Sequence, residues 1–198
     1  MDNKEALLLF NKCYALQASL RSSLGGNLPK TISVVSTYKG EGKTTISAYL
    51  ALNLSKSGHK VAIIDSNLRS PGLHIFFKKP VGLGLSDVLL GKAELKDIGY
   101  DIGGSHLFPN SSIVADPIPL IDSNRMKDII DEIKRQYDIV IFDTPALHDF
   151  ADGMVISNYS EYVIYVIGYG ESSKDEAREC NKLLGNKNVG IVFNKVED

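Results

Sequence analysis

Residues 31–36, Thr-Ile-Ser-Val-Val-Ser, are β-branched or small at every position and run straight into a loop that holds Gly40 and Gly42. A strand with one solvated face alternates apolar and polar residues. A run without that alternation fits a strand buried on both faces, the usual state of a parallel sheet covered by helices. The same kind of run returns at 61–65 (VAIID), 139–143 (IVIFD), 162–168 (YVIYVIG) and 189–194 (VGIVFN). Between these runs lie helical stretches at 43–57, stopped by Gly58, and at 122–136, 152–159 and 172–185. Alternation of this kind predicts an α/β fold with three layers, a mostly parallel central sheet flanked by helices on both faces.

Two segments fall outside that rhythm. Residues 3–23 predict an amphipathic helix with Leu8, Leu16 and Leu20 on one stripe, ended by Gly25-Gly26-Asn27. The stretch 70–121 is rich in Gly, Pro and Ser, and predicts only a short helix at 85–91 and a short strand near 106–108. No linker or repeat divides the chain, so residues 1–198 are expected to form one domain, with 1–26 packing on or beside it. A length of 198 residues with 43% hydrophobic composition is ample for one large core.

Composition narrows the function. A formal net charge of −2 with 23% charged residues does not supply the basic surface that nucleic acid requires. Cys13 and Cys180 are far apart and match no metal spacing, which fits a reducing cytoplasm. No run is apolar enough for a signal peptide or membrane span, so a cytoplasmic location is expected, with any membrane role reached through a partner.

Ser36-Thr37-Tyr38-Lys39-Gly40-Glu41-Gly42-Lys43-Thr44-Thr45 carries the chemistry. A phosphate loop needs inward-facing backbone N–H groups, small residues where the chain curls, and a helix N-terminus beneath. This segment has all three, although Thr37 stands where the usual pattern has its first glycine. Lys43 is expected at the β/γ-phosphates and Thr44 on Mg²⁺, with Lys39, Gly40, Glu41, Gly42 and Thr45 completing an ATP site. The apolar run 139–143 carries Asp143 to the C-terminal edge of the sheet, where a Walker-B-type carboxylate completes the metal shell or, in the plainer reading, caps the next turn. Asp65 ends a second strand, placed to accept a proton from an attacking hydroxyl or to serve as a strand-end cap. Arg69 is assigned either to phosphate or to an acidic partner.

With these motifs in place, the chain resembles the bacterial tyrosine kinases of capsule and exopolysaccharide synthesis, within the P-loop group that also contains MinD and ParA ATPases. The resemblance covers nearly the whole chain. It rests on the loop 39–45, on Asp65-Ser66-Asn67-Leu68-Arg69-Ser70-Pro71 with His74 and Phe76, and on Gly84-Leu85-Ser86-Asp87-Val88-Leu89-Leu90-Gly91. Asp116-Pro117, Leu120, Ser123, Arg125-Met126, Asp143-Thr144-Pro145, Asp152 and Asn194-Lys195 extend it. The resemblance implies transfer of the ATP γ-phosphate to tyrosine, with Lys43, Asp65, Asp143 and Arg69 as catalytic residues, Mg²⁺ on Thr44 and Asp143, and Asn194 near the adenine. It also implies a membrane-bound polysaccharide co-polymerase as activator, and rings of kinase domains that phosphorylate one another.

Three positions depart from that pattern. Asn67 replaces an aspartate, and an amide can neither act as a base nor add negative charge to a metal site. Tyr169 is the last tyrosine, so the tail of acceptor tyrosines is not in this sequence. The ring-forming helix should carry Glu, Arg and Arg, whereas Asn11, Tyr14 and Gln17 occupy those positions. Two alternatives therefore stand beside the kinase: a degenerate nucleotide-binding regulatory subunit, or a MinD/ParA-like ATPase switch. The switch has the weaker case, since Tyr38 stands where its signature lysine belongs. His74 and His148 read as loop hydrogen-bonding residues, Asp152 as a helix N-cap, and Tyr159, Tyr162, Tyr165 and Tyr169 as a strand and its flanks.

Overall fold

The computed structural model describes residues 3–196 apart from 81 and 111. Among these residues, seven strands form one sheet: β1 (Thr31–Ser36), β2 (Val61–Asp65), β3 (Tyr100–Asp101), β4 (Ser105–Phe108), β5 (Ile139–Asp143), β6 (Tyr162–Gly168) and β7 (Asn188–Asn194), in the order β3-β4-β2-β5-β1-β6-β7. Every pairing is parallel except β3 with β4. The central strands are buried on both faces, as their unbroken apolar runs predict.

Helices cover the sheet, and the described residues form α1 (Asn3–Ser23), α2 (Lys43–Lys56), α3 (Leu73–Phe76), α4 (Leu85–Leu89), α5 (Ile118–Ile121), α6 (Asn124–Gln136), α7 (Asp152–Ser157) and α8 (Lys174–Lys182). Successive strand residues point to opposite faces, so each strand feeds two cores. Ile32, Val34, Ile63 and Ile141 meet Leu20 of α1 and Leu50 and Leu54 of α2. On the opposite face, Ile64, Val140 and Phe142 meet Leu85, Met126, Ile130 and Ile133 from α4 and α6. Val35, Val163 and Tyr165 pack under α8 through Ala177, Cys180 and Leu184.

Helix ends explain the shifts from the expected boundaries. Ser123 caps α6 by accepting from Met126 N, so that helix starts at Asn124 and not at 122. Ser173 and Glu176 form a capping box that starts α8 at Lys174. Within 70–121, α3, α5, β3 and a 3₁₀ turn at Leu95–Asp97 had no usable periodicity, each being four residues or fewer.

On α1 the buried stripe runs through Leu9, Cys13, Leu16 and Leu20, and Leu8 is 50% exposed. Leu8 lies about 100° round the helix from that stripe, so its expected place on one stripe with Leu16 and Leu20 is corrected. The helix is fixed to α2 by two polar contacts: Asn53 Nδ2 donates to Phe10 O at 2.8 Å, and Ser57 Oγ donates to Gln17 Oε1 at 3.2 Å. Gln17 is thereby turned inward, while Asn11 and Tyr14 face solvent.

Candidate nucleotide and phosphotransfer site

β1 lies between β5 and β6, with the chain departing to β2 on one side and returning on the other. Open α/β sheets bind ligands at the C-terminal ends of strands where the strand order reverses. The loop 37–42 sits at that point. Gly40 and Gly42 have φ of 98° and 105°, a left-handed conformation that strains any side chain. A Cβ on Gly42 would also stand 2.1 Å from Asn194 Nδ2. Thr37 needs no such freedom, since the non-glycine residues of positive φ among those described are Lys78 and Lys195. Its buried hydroxyl instead pairs with the Tyr165 hydroxyl at 2.7 Å, which accounts for a threonine in place of the usual first glycine.

Lys43 begins α2 and is only 7% exposed. Its ammonium donates to Ser36 Oγ at 2.7 Å and Tyr38 O at 3.3 Å, folded back along the loop that would cradle phosphate. Burial lowers its pKa, opposed by the charges of Asp143, Glu41 and Asp149. The next residue, Thr44, donates its hydroxyl to Asp143 Oδ2 at 2.7 Å, and Ser47 donates to Asp143 Oδ1 at 3.2 Å. Ser47 was missed in the sequence. Its signal was its place three residues after Thr44 on one helix face.

The parallel register of β2 and β5 sets Asp65 directly beside Asp143. Asp65 Oδ2 accepts from the N–H groups of Gly72 and Leu73, each at 2.9 Å. Its Oδ1 is buried and has no hydrogen-bond partner among the described residues. Burial first, then the charge of Asp143, pushes the Asp65 pKa well up, against the nearby backbone N–H groups of Leu73, Gly72 and Asn67. Burial likewise raises Asp143 to about 6, opposed by Thr44, Lys43 and Ser47. A hydroxyl already on a carboxylate, beside a second carboxylate with a bare buried oxygen, is a set of hard donors that suits Mg²⁺. These residues fit the cation and nucleotide that the sequence implies.

Other expected site residues lie elsewhere or act otherwise. Arg69 is not free for phosphate: its Nε and Nη2 reach Asp152 Oδ2 and Oδ1 at 2.6 and 3.2 Å, its Nη1 donates to Ala115 O at 2.6 Å, and its guanidinium lies 4.2 Å from the Phe150 ring centroid. Asp152 is therefore an ion-pair partner inside the first turn of α7, and the cap position belongs to Ala151. Asn194 sits at the end of β7, but its amide donates to Glu41 O at 2.9 Å, committed to the loop backbone. The Glu41 carboxylate bridges the loop and the sheet, with Oε2 accepting from Tyr38 N and Oε1 from Gly168 N at the end of β6. Lys39 is exposed with Nζ 3.4 Å from Ser70 Oγ, at the mouth between the loop and the Asp65 segment, and Thr45 is half-buried on α2. The His148 ring lies 4.6 Å from that of Tyr38 and its Nδ1 faces Asp149, whereas His74 Nδ1 is buried and unpaired among the described residues.

Comparisons with known proteins place the chain among its relatives. The family model described as "AAA domain" matches residues 29–174. The tyrosine-protein kinase YwqD of Bacillus subtilis (strain 168) is 32% identical over 170 residues, covering 83% of this chain and 72% of the relative. Tyrosine-protein kinase CpsD of Streptococcus pneumoniae serotype 4 is 32% identical over 180 residues, covering 88% and 79%. Among solved structures, the chimerical protein CapA2B2 superposes with a TM-score of 0.85 at 29% identity, covering 91% of this chain and 82% of that one. The kinase domain of the Escherichia coli tyrosine kinase ETK gives 0.87 at 26%, covering 94% and 75%. MinD of Pyrococcus horikoshii, complexed with Mg-ADP, is less similar at 0.69 and 27%, covering 83% and 68%. The glycine loop, the lysine folded along it and the two carboxylates in register thus sit on a fold shared with the ETK kinase domain and CapA2B2, and by its similarity to YwqD and CpsD the chain belongs to the bacterial tyrosine-protein kinase family.

Proposed function

We propose that this chain is an ATP-dependent protein-tyrosine kinase acting in capsular or exopolysaccharide synthesis and export. The observation that carries the reading is the convergence of Lys43, Thr44, Asp143 and Asp65 at the C-terminal ends of β1, β5 and β2. In this reading the loop amides and Lys43 hold the ATP phosphates, and Thr44 and Asp143 hold Mg²⁺. The bound cation would supply charge neutralisation at the γ-phosphate. Asp65 is the group that takes the tyrosine proton. A carboxylate at its ordinary pKa is a weak base towards a hydroxyl of pKa about 10, so the raised pKa of Asp65 narrows the mismatch.

None of the described helices is long and apolar enough to cross a membrane. In this reading the kinase acts in the cytoplasm and is recruited to the membrane by a polysaccharide co-polymerase that activates it. Self-association is part of the same reading, without the charge-paired ring contact. Asn67 favours a second reading, a nucleotide-binding regulatory subunit. Its Oδ1 accepts from Ser70 N at 3.1 Å, a turn-forming role that requires no carboxylate.

The two readings separate in one experiment: phosphotyrosine blotting of the longest native chain with Mg-ATP and its activator, beside Lys43→Met. Signal in the wild type and none in the variant is expected. No signal in either, with ATP bound to the wild type, leaves the regulatory subunit.

A further inference from the structure

A carboxylate in a phosphate loop opposes the ligand's charge, so Glu41 calls for an explanation. Its side chain is fully buried, at 0% exposure, and it accepts three hydrogen bonds. Oε2 accepts from Tyr38 N at 2.7 Å, within the loop itself. Oε1 accepts from Gly168 N at 3.1 Å, at the end of β6, and from Ser172 Oγ at 2.9 Å, in the turn that leads from β6 to α8. From the other side, Asn194 at the end of β7 donates to the Glu41 carbonyl. The fit is close: a Cβ on Gly168 would lie 3.2 Å from Glu41 Cγ and 2.8 Å from Glu171 Cγ. Glu171 is in turn paired with Lys195 at 2.7 Å.

We propose that Glu41 is a positioning residue whose buried carboxylate pins the phosphate loop to the β6–α8 turn, holding the loop amides in their anion-binding shape before nucleotide arrives. The inference rests on reading this loop as the ATP site. A short loop with two glycines of positive φ has much conformational freedom to lose on binding, and fixing it in advance raises affinity. The carboxylate suits the task because it accepts only, and all three groups facing it can donate. It also lies close enough to Lys43 to support the charged ammonium against burial.

The test compares wild type, Glu41→Gln, Ser172→Ala and the double variant. Affinity is measured with ATP itself in competition with a fluorescent ATP analogue, and amide hydrogen exchange is followed in the nucleotide-free proteins. In Glu41→Gln the introduced amide turns a donor towards Gly168 N–H or Tyr38 N–H, so ATP should bind about tenfold more weakly. Ser172→Ala should weaken binding about threefold, and adding it to Glu41→Gln should cost little more, because the two share one contact. Exchange at residues 38–45 should quicken, while β2 and β5 stay protected. An ATP affinity for Glu41→Gln within about twofold of wild type would overturn the proposal, as would full additivity of the two changes. So would exchange rising throughout the sheet, which marks general destabilisation. If the wild type bound no ATP, the reading of the site would fail, and the exchange comparison would still decide whether Glu41 pins the loop.

Discussion

Asp143 and Asp65 end neighbouring parallel strands in register, yet different parts of the chain hold them. Asp143 is served on both oxygens by hydroxyls of α2, the helix that follows the phosphate loop. Asp65 is served on one oxygen by two backbone amides of the segment that follows its own strand, and its other oxygen is bare among the described residues. Two carboxylates this close cannot ionise independently, and burial raises both. Asp143 is tied by both oxygens to the helix that follows the loop, and Asp65 keeps an acceptor without a partner among the described residues.

Asp65→Asn should have the largest effect. The amide oxygen can still accept from Gly72 and Leu73, so the strand end should keep its shape. Removing a general base should lower phosphotransfer about 100-fold or more. ATP affinity, measured separately, should change by less than about threefold, a uniform-binding term left intact. Comparable losses in both would place Asp65 in nucleotide binding.

Asp143→Asn should act in the opposite sense on stability. The folded-state pKa of Asp143 is raised from 3.8 to about 6, so between those values the folded state binds more protons than the unfolded one. Stability linked to this group is full below the unfolded pKa and is lost as pH rises through about 6. In EDTA without nucleotide, the variant should therefore be more stable than wild type at pH about 7.5, the direction set by the raised pKa. The gap should close towards pH about 4, in thermal melts across that range. Mg²⁺ should no longer tighten ATP binding. A gap that did not vary with pH would show that Asp143 is not the titrating group.

These strand ends were legible in the sequence because buried parallel strands announce themselves by unbroken apolar runs, and each run names the residue at its tip. Lys43, Thr44 and Asp143 could be brought together by that logic alone. The partners of Arg69, Asn194 and Glu41 could not, since each depends on contacts across long stretches of chain. Arg69 meets Asp152 and Ala115, and Asn194 reaches back to Glu41. The segment 70–121 was obscure for a related reason: its elements are too short for a period to emerge, and tertiary packing fixes them. Arg69→Ala tests the long-range ion pair that replaced the phosphate reading. The Asp152 side chain is 2% exposed and would be left unpaired, while Arg69 at 23% is partly solvated. Discounting for that exposure, urea unfolding should show a loss of about 2 kcal/mol, with ATP affinity unchanged. Weaker ATP binding at unchanged stability would restore Arg69 to the phosphates.

Asn67→Asp is the smallest change and bears most directly on which oxygen does the work. Asn67 lies beyond the strand tip, half-buried, and its side chain accepts from Ser70 N. A carboxylate there can accept the same bond, so the turn should survive. The added charge would sit near Asp65, raising its proton affinity further and adding a second anionic donor towards the cation. If Asp65 alone is a sufficient base and Asn67 only weakens the site, phosphotransfer should rise by about tenfold or less in single-turnover assays. A large gain from near zero would mean that the base belongs at position 67 and that the present chain is a nucleotide-binding subunit. No change would leave the turn as the whole role of Asn67, and would assign the chemistry to Asp65.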